Sequence, residues 1–413
     1  MKNKFLQEMK SRGYLHQCTD LTKLDEICNK KPITGYIGFD CTASSLHVGS
    51  LLQIMILRLM QKHGHRPIVL LGGGTTLIGD PSGKDSTRKI LDQKKIRKNI
   101  ESIKKVFNKV LINKKKNTKP LFVNNADWLS KLNFINFLRE VGSHFTINKM
   151  LTFDSVKLRL EREHSLSYME FNYMILQAYD FYQLFKNKKC VLQIGGSDQW
   201  GNIVNGVELI RRMLKKESFG LTSPLITLAS GVKMGKTEKG AIWLNEDMFS
   251  SYDYWQFWRN TDDRDVKKFL NFFTDIEPIE IEKICENEKN INNLKILLAN
   301  KATTILHGSK AANDSAETAK ETFVKGGLGK NIPEKKIEEK IILKGINIIE
   351  LIFQNNLVQS KSEARRILKN NGVKINDIVV NDEKKIINME DVQENNYIKL
   401  SLGKKNHLRV KII

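Results

Sequence analysis

Proline is scarce in this chain, seven in 413 residues, and cysteine is scarcer, with five. Cys18, Cys28, Cys41, Cys190 and Cys285 are scattered and form no CxxC pair. That excludes a zinc ribbon and argues against a disulfide framework. The eight histidines form no HExxH, and no metal-ligand set stands out. No apolar run approaches the roughly eighteen residues needed to cross a bilayer. The N-terminal MKNKFLQEMKSRG alternates charge and lacks the apolar stretch of a secretory signal. The expectation is a cytoplasmic, reducing-compartment protein that does not engage a membrane. Acidic residues are also in deficit, 46 Asp and Glu against 68 Lys and Arg, which leaves a formal charge of +22. Such a surplus fits a polyanionic partner. It equally fits a lysine-rich genome that solvates every exposed face, and composition leaves both readings open.

What is present is enough for two or three domains. TGYIGF (34–39) reads as a buried strand, followed by the loop DCTASSLHVG and an apolar helix, LLQIMILRLMQKHG. His65-Arg66-Pro67 ends that helix, and IVLLGG reads as a second strand. Strand, loop, helix and strand make a βαβ unit, whose ligands belong beyond the carboxyl ends of the strands. VLQIGGSDQW (191–200) and GNIVNGVELIRRML repeat the strand-then-helix pattern. From about 252 the chain turns helical and charged, with no convincing strand before 340. Residues 324–340, with three glycines, a proline and many charges, read as a linker. A compact unit then carries SKSEARRILKNNG on a helix, followed by short β runs.

Two glycine loops approach a P-loop and miss it. Gly79 to Lys84 and Gly231 to Lys236 are each one residue short, and loop length sets which N–H groups face a phosphate. Each still places Gly beside Lys near a strand end, which suits anion binding by another geometry or a merely solvated basic loop. LSYMEFNYMILQAYDFYQLF (166–185) contains no Lys or Arg and reads as a buried helix. Tyr173, Gln177 and Asp180 share one face of it. A buried carboxylate needs a partner, so this stripe is either a structural pairing or the lining of a small polar pocket.

HVGS (47–50) and KMGKT (233–237) together resemble the two signatures of class I aminoacyl-tRNA synthetases. YIGFDCTASSLHVGS, GGGTTLIGDPSGKDSTR, FNYMILQAYDF, QIGGSDQWGN and VKMGKTEKGAIWL follow in the order of bacterial-type tyrosyl-tRNA synthetases. SEARRILKNNGVKIND resembles the RNA-binding domain of the ribosomal-protein-S-four type. The likeness runs over essentially the whole chain.

The resemblance implies an α/β fold, with a Rossmann-like parallel-sheet catalytic domain followed by an α-helical domain and a small α+β RNA-binding domain. The corresponding boundaries are a catalytic domain with connective insertion over 1–224, and a linker with the KMGKT loop over 225–251. A helical anticodon-side domain over 252–323 follows, then the linker 324–340 and the RNA-binding domain 341–413. It also implies that tyrosine and ATP form tyrosyl-adenylate and pyrophosphate, after which the tyrosyl group passes to the tRNA 3′ end. Mg2+ would arrive bound to the ATP phosphates, with no protein-ligated metal, and the enzyme would be a homodimer.

By the same resemblance, Tyr36 and Asp180 would bond the substrate phenol. Asp80, Tyr173 and Gln177 would hold its ammonium group, and Gln199 would face its carbonyl region. Thr42 and His47 would contact the γ-phosphate. Asp40, Gly49, Ser50, Gly196 and Asp198 would form the ATP and ribose side. Lys84, Arg88, Lys233 and Lys236 would close on the leaving pyrophosphate. Arg211 and Arg212 would lie on the tRNA path, as would Lys361, Arg365, Arg366 and Lys369, which recur at helical spacing. Residues 84–119 alone carry fourteen Lys or Arg against three Asp or Glu, half the net charge.

Three departures mark this chain. Ser50 ends the first signature in place of His, Cys41 replaces the usual Pro after the FD pair, and KMGKT has lost a serine hydroxyl. None removes a charge needed for pyrophosphate. The alternatives are a tryptophan-specific enzyme of the same fold, a non-catalytic RNA-binding protein, and a P-loop kinase that would release ADP.

Overall fold

The structure is a computed structural model that describes residues 1–81, 91–112, 116–231, 234–237, 240–324, 334–393, 396–403 and 406–413. Its main sheet has six strands: β1 (Gln17–Cys18), β2 (Thr34–Phe39), β3 (Arg66–Leu71), β4 (Leu121–Asn124), β5 (Cys190–Gly196) and β6 (Phe219–Ser223). Their order is β1-β6-β5-β2-β3-β4, so the winding reverses between β2 and β5. All neighbours are parallel except β1, a short antiparallel edge on β6.

Helices cover both faces: α1 (Lys4–Ser11), α2 (Leu51–Lys62), α3 (Gln93–Val110), α4 (Tyr173–Lys188) and α5 (Trp200–Leu214). Side chains alternate across a strand, so each strand feeds two cores. Ile37, Phe39, Val69 and Leu71 pack with Ile54 and Leu57 of α2 and Phe107 of α3. Tyr36, Ile68 and Leu70 pack on the other side with Met174, Ala178 and Phe181 of α4 and Ile210 of α5. Nine of the twelve α2 residues are buried, as an apolar crossover between sheet and helical domain requires. α3 is amphipathic instead: Ile96, Ile100, Ile103, Phe107 and Val110 face in and its lysines face out. Asp92 caps it by accepting from Lys95 N–H at 2.7 Å.

The stretch 166–185, free of Lys and Arg, is not one helix. Ser167 and Glu170 form a capping box that starts a four-residue turn, Tyr168–Phe171, and α4 begins afresh at Tyr173. Tyr168 is 68% exposed, so the lack of Lys and Arg there does not mean burial.

Beyond the sheet come α6 (Ser251–Arg259), α7 (Val266–Phe273) and a helical run over Ile291–Val324, which breaks at Gly308 with φ of +87°. Trp255, Trp258, Phe269 and Leu298 from these helices join the core that α2 and α3 close.

The C-terminal unit has a core of its own, from Ile342, Leu351, Leu368, Val373, Leu400 and Val410. Its five-stranded sheet includes a strand at Glu334–Ile337, parallel to the last strand of the chain. That strand falls inside 324–340, which reads as a linker from its charge. Only Ile337 of the four faces in, and an edge strand so loaded with Lys and Glu looks like solvent-exposed chain. Among the described residues no helix is long and apolar enough to cross a membrane.

Candidate active site

A cavity of about 430 Å³ opens at the carboxyl ends of β2 and β5, where the strand order reverses. This is the position at which open α/β sheets bind ligands, and the volume falls within the range of small-molecule sites. Strand ends, α4 and the loop 40–50 supply its walls.

At the deep end Tyr36 reaches in from β2 and Asp180 from α4, both fully buried. The Tyr36 hydroxyl has no hydrogen-bond partner among the described residues, and burial beside Asp180 holds its pKa well above the usual value. Asp180 accepts from Asn125 Nδ2 at 2.9 Å and from Trp128 Nε1 at 2.8 Å. Burial dominates its titration and pushes the carboxyl up to about 7, against these two donors. An unpartnered phenol beside a buried carboxylate held by two donors is suited to recognising one more hydroxyl group.

Midway up, Asn202 Nδ2 donates to Gln177 Oε1 and to Gln199 Oε1, each at 3.1 Å. Gln199 Nε2 in turn donates to Asp80 Oδ2 at 3.0 Å. The Tyr173 hydroxyl lies 3.3 Å from both carboxylate oxygens of Asp40, and Thr75 donates to Asp40 at 3.0 Å. Two carboxylates, Asp40 and Asp80, thus line one mid-cavity wall, which favours a cation. Tyr173 bonds Asp40, and Gln199 bonds Asp80; both belong to this acidic wall.

Towards the mouth stand Thr42, His47, Gly49, Ser50, Gly196 and Asp198, of which Thr42 and Asp198 are exposed. His47 Nδ1 accepts from Gly49 N–H at 3.0 Å and so caps the turn that leads into α2. A Cβ at Gly49 would meet the Met234 carbonyl at 2.7 Å, and one at Gly235 would meet His47 Nδ1 at the same distance. The two signature segments therefore pack directly on each other, and neither position has room for a side chain.

Lys84, Arg88 and Lys233 lie outside the described residues. Lys236 is described by its backbone, in a two-residue strand Lys236–Thr237 paired with Gly240–Ala241. Arg211 and Arg212 sit about three turns along α5 from the cavity. Arg211 pairs with Glu208 at 2.9 Å, and Arg212 donates to His144 O at 2.8 Å. On the helix Lys361–Lys369, Lys361 pairs with Glu350, while Arg365 and Lys369 approach Glu383 at 3.7 and 3.6 Å. Arg366 lines a groove beside Phe353 and Ser360.

Asn125, Trp128 and Asn202 are polar members of the site that sequence reading missed. Asn125 and Trp128 follow β4, which has no glycine turn to flag it, and Asn202 lies within what reads as an ordinary helix.

Known proteins align with this arrangement from end to end. The family described as tRNA synthetases class I (W and Y) matches residues 28–324, and the tyrosine--tRNA ligase SYY-like C-terminal domain matches 324–410. A tyrosine--tRNA ligase of Pelagibacter ubique is 62% identical over 411 residues, covering 100% of both chains. One from Rickettsia prowazekii is 51% identical over 99% of this chain and 100% of its own. Among solved structures, a C-terminally truncated mitochondrial tyrosyl-tRNA synthetase of Aspergillus nidulans superposes with a TM-score of 0.71 at 30% identity. It covers 78% of this chain and 95% of its own.

Proposed function

The chain belongs to the tyrosine--tRNA ligases of the class I tRNA synthetases, and on that premise we propose how its own residues divide the work. The reaction uses tyrosine, ATP and tRNA: tyrosine is activated to tyrosyl-adenylate with release of pyrophosphate, then transferred to the 3′ end of the tRNA. The attacking group is the substrate's own carboxylate, so the protein's task is positioning and charge stabilisation.

Tyr36 donates to the phenol oxygen and Asp180 accepts its proton. The observation that carries this reading is the buried, unpartnered Tyr36 hydroxyl beside a carboxylate already fixed by two donors. Asp80, Tyr173 and Gln177 hold the ammonium group, and Asp40 serves the ATP and ribose side. Gln199 faces the carbonyl region. Gly49, Ser50, Gly196 and Asp198 take the adenosine, and Thr42 and His47 take the γ-phosphate. Lys84, Arg88, Lys233 and Lys236 draw in on the pyrophosphate as it leaves; contacts that tighten there lower the barrier without overbinding ATP. Magnesium enters on the ATP phosphates. Thr42 and His47 offer a hydroxyl and an imidazole rather than the carboxylates Mg2+ prefers, so phosphate oxygens and water would hold it.

Arg211, Arg212 and the cations of the helix Lys361–Lys369 lie along the tRNA backbone. The enzyme works as a dimer with a second copy of this chain. Eight of the exposed large apolar side chains among the described residues fall within 134–168, including Phe134 at 61%, Ile135 at 62% and Ile147 at 59%. Sedimentation of the wild type against Ile135→Glu tests this, with a shift towards monomer expected.

The test of the whole reading is ATP–pyrophosphate exchange without tRNA, run with tyrosine, phenylalanine and tryptophan. Exchange with tyrosine alone is the expected result. Exchange with tryptophan would keep the fold and overturn the phenol pocket.

A further inference from the structure

The two signature segments share a short ladder. Val48 N–H donates to Ile242 O at 2.8 Å, Leu244 N–H donates to Leu46 O at 2.9 Å, and His47 faces Trp243 across an antiparallel bridge. Asn245, only 7% exposed, stands at the foot of this ladder and turns its backbone N–H and both side-chain polar atoms towards two serines, while its carbonyl accepts from Met248 and Phe249 N–H. Its backbone N–H donates to Ser45 Oγ at 3.0 Å, and its side-chain oxygen lies 3.1 Å from the same hydroxyl. Its Nδ2 donates to Ser102 Oγ at 2.8 Å and to Ser102 O at 3.3 Å. Ser45 belongs to the first-signature loop, and Ser102 lies on α3, the helix entered from the segment that carries Lys84 and Arg88.

Glycines lie on the other side of the ladder. Gly231, Gly235 and Gly240 all have positive φ, at +82°, +119° and +111°. Other residues resist this conformation, so glycine is required at these three positions. At the loop's far end Ala229 N–H donates to Asp265 Oδ2 at 2.7 Å. The described part of the segment is therefore held by hydrogen bonds at both ends. At the Asn245 end, the anchor is also bonded to the loop that holds His47 and Thr42.

We propose that Asn245 is a positioning residue for adenylate formation. It ties the segment that follows KMGKT to the HVGS loop and to α3, so that the two signature segments and α3 keep one arrangement around the phosphates. It acts through Ser45 and Ser102 and touches no substrate. A misplacement of about 1 Å in such a frame costs on the order of 100-fold in rate, whereas the tyrosine pocket, built on β2 and α4, is left intact. The inference rests on the reading of the loop cations given above.

The experiment compares wild type with Asn245→Ala, Asn245→Asp and Ser102→Ala. It measures tyrosine-dependent pyrophosphate exchange per titrated active site, melting temperature and tryptic cleavage in the loop. Tyrosine-dependent exchange by the wild type checks the proposed function itself; the ratio of variant to wild type checks Asn245. Expected for Asn245→Ala is a kcat lower by about 10- to 100-fold with the KM for tyrosine within about twofold. Asn245→Asp should recover part of that loss, because a carboxylate accepts from both serine hydroxyls but has no donor for the Ser102 carbonyl. Cleavage at the loop lysines should quicken in Asn245→Ala. Ser102→Ala removes the hydroxyl half of the link to α3 and keeps the bond to the Ser102 carbonyl, so it keeps the test available if Asn245→Ala folds poorly, with a smaller loss of kcat expected. Three results would overturn the proposal: kcat per active site unchanged in Asn245→Ala and Ser102→Ala, a tyrosine KM that rises in step with the loss of kcat, or no recovery in Asn245→Asp.

Discussion

The indole N–H of Trp128 donates to Asp180 Oδ1 at 2.8 Å while Asn125 Nδ2 engages Oδ2 at 2.9 Å, so both oxygens of a fully buried carboxylate are already fixed before substrate arrives. The substrate phenol can then donate to an acceptor that does not reorient.

The first expectation concerns pH. Burial raises the Asp180 carboxyl from 3.8 to about 7. Its raised value means that ionisation disfavours the free fold, a stability contribution present below 3.8 and lost as pH rises through about 7. Tyrosine binding runs the opposite way, since the ionised carboxylate is the better acceptor. The Kd for tyrosine, followed by protein fluorescence, should rise by roughly 3- to 10-fold from pH 8.5 to pH 6, since a hydrogen bond to a charged group is stronger than one to its neutral form. Asp180→Asn should flatten that dependence and weaken discrimination against phenylalanine. An unchanged pH slope in Asp180→Asn would locate the titration elsewhere.

Tyr36 and Trp128 should respond in opposite senses. The Tyr36 hydroxyl has no partner to lose, so Tyr36→Phe should leave the melting temperature unchanged or raised while reducing the preference for tyrosine over phenylalanine by about 10-fold. Trp128→Phe instead strips a donor from a buried carboxylate and should cost about 1–3 kcal/mol of stability by urea denaturation.

Glu8 holds the N-terminal helix to the rest of the molecule. It bonds Arg12 Nε at 2.7 Å, Lys62 Nζ at 2.8 Å and His63 Nε2 at 2.7 Å, and Arg12 donates onward to the carbonyls of Asn271, Thr274 and Ile276. These partners outweigh burial and hold its carboxyl at about 2, below the usual 4.5. A depressed value contributes stability above 4.5 that is lost as pH falls through about 2. Glu8→Gln should therefore lose about 2–4 kcal/mol at pH 7, leaving the cluster's cations buried without their anion. The gap between the two proteins in urea midpoint should close towards pH 2.

The sequence makes β2, α2, β3 and β5 legible because each is a continuous apolar run bounded by glycine or by charge, as buried parallel strands and their crossovers must be. β1 and β4 lack that mark: two residues at an antiparallel edge, and four half-buried residues at the other. The strand Glu334–Ile337 hides for a different reason, since its charges belong to the solvent side of an edge. The same contrast holds in the site. Tyr173, Gln177 and Asp180 stand out as a polar stripe in an apolar helix, and Tyr36 and Asp80 come from the family words, whereas Asn125 and Asn202 act by partnering Asp180 and the glutamines Gln177 and Gln199 and have no local signal. Asn245 is visible only once 242–244 is seen paired with 46–48.

The last expectation separates the two chemical steps. The C-terminal unit has its own core of Ile342, Leu351, Leu368 and their neighbours, distinct from the cores that surround the main sheet. Truncation after about residue 330 therefore removes a self-contained body and leaves the cavity's lining whole. Pyrophosphate exchange should stay within about twofold of wild type, whereas charging of tRNA should fall by at least 10-fold, because lost phosphate contacts weaken binding steeply. Within the unit, exposed pairs such as Arg365 and Lys369 with Glu383 hold their cations only weakly, by about 0–1 kcal/mol, so these side chains can turn to a phosphate at small cost. Arg366→Ala should raise the tRNA KM and lower the salt dependence of binding by about one counterion. Wild-type charging by the truncated chain would mean that the tRNA is held by the catalytic and helical parts alone.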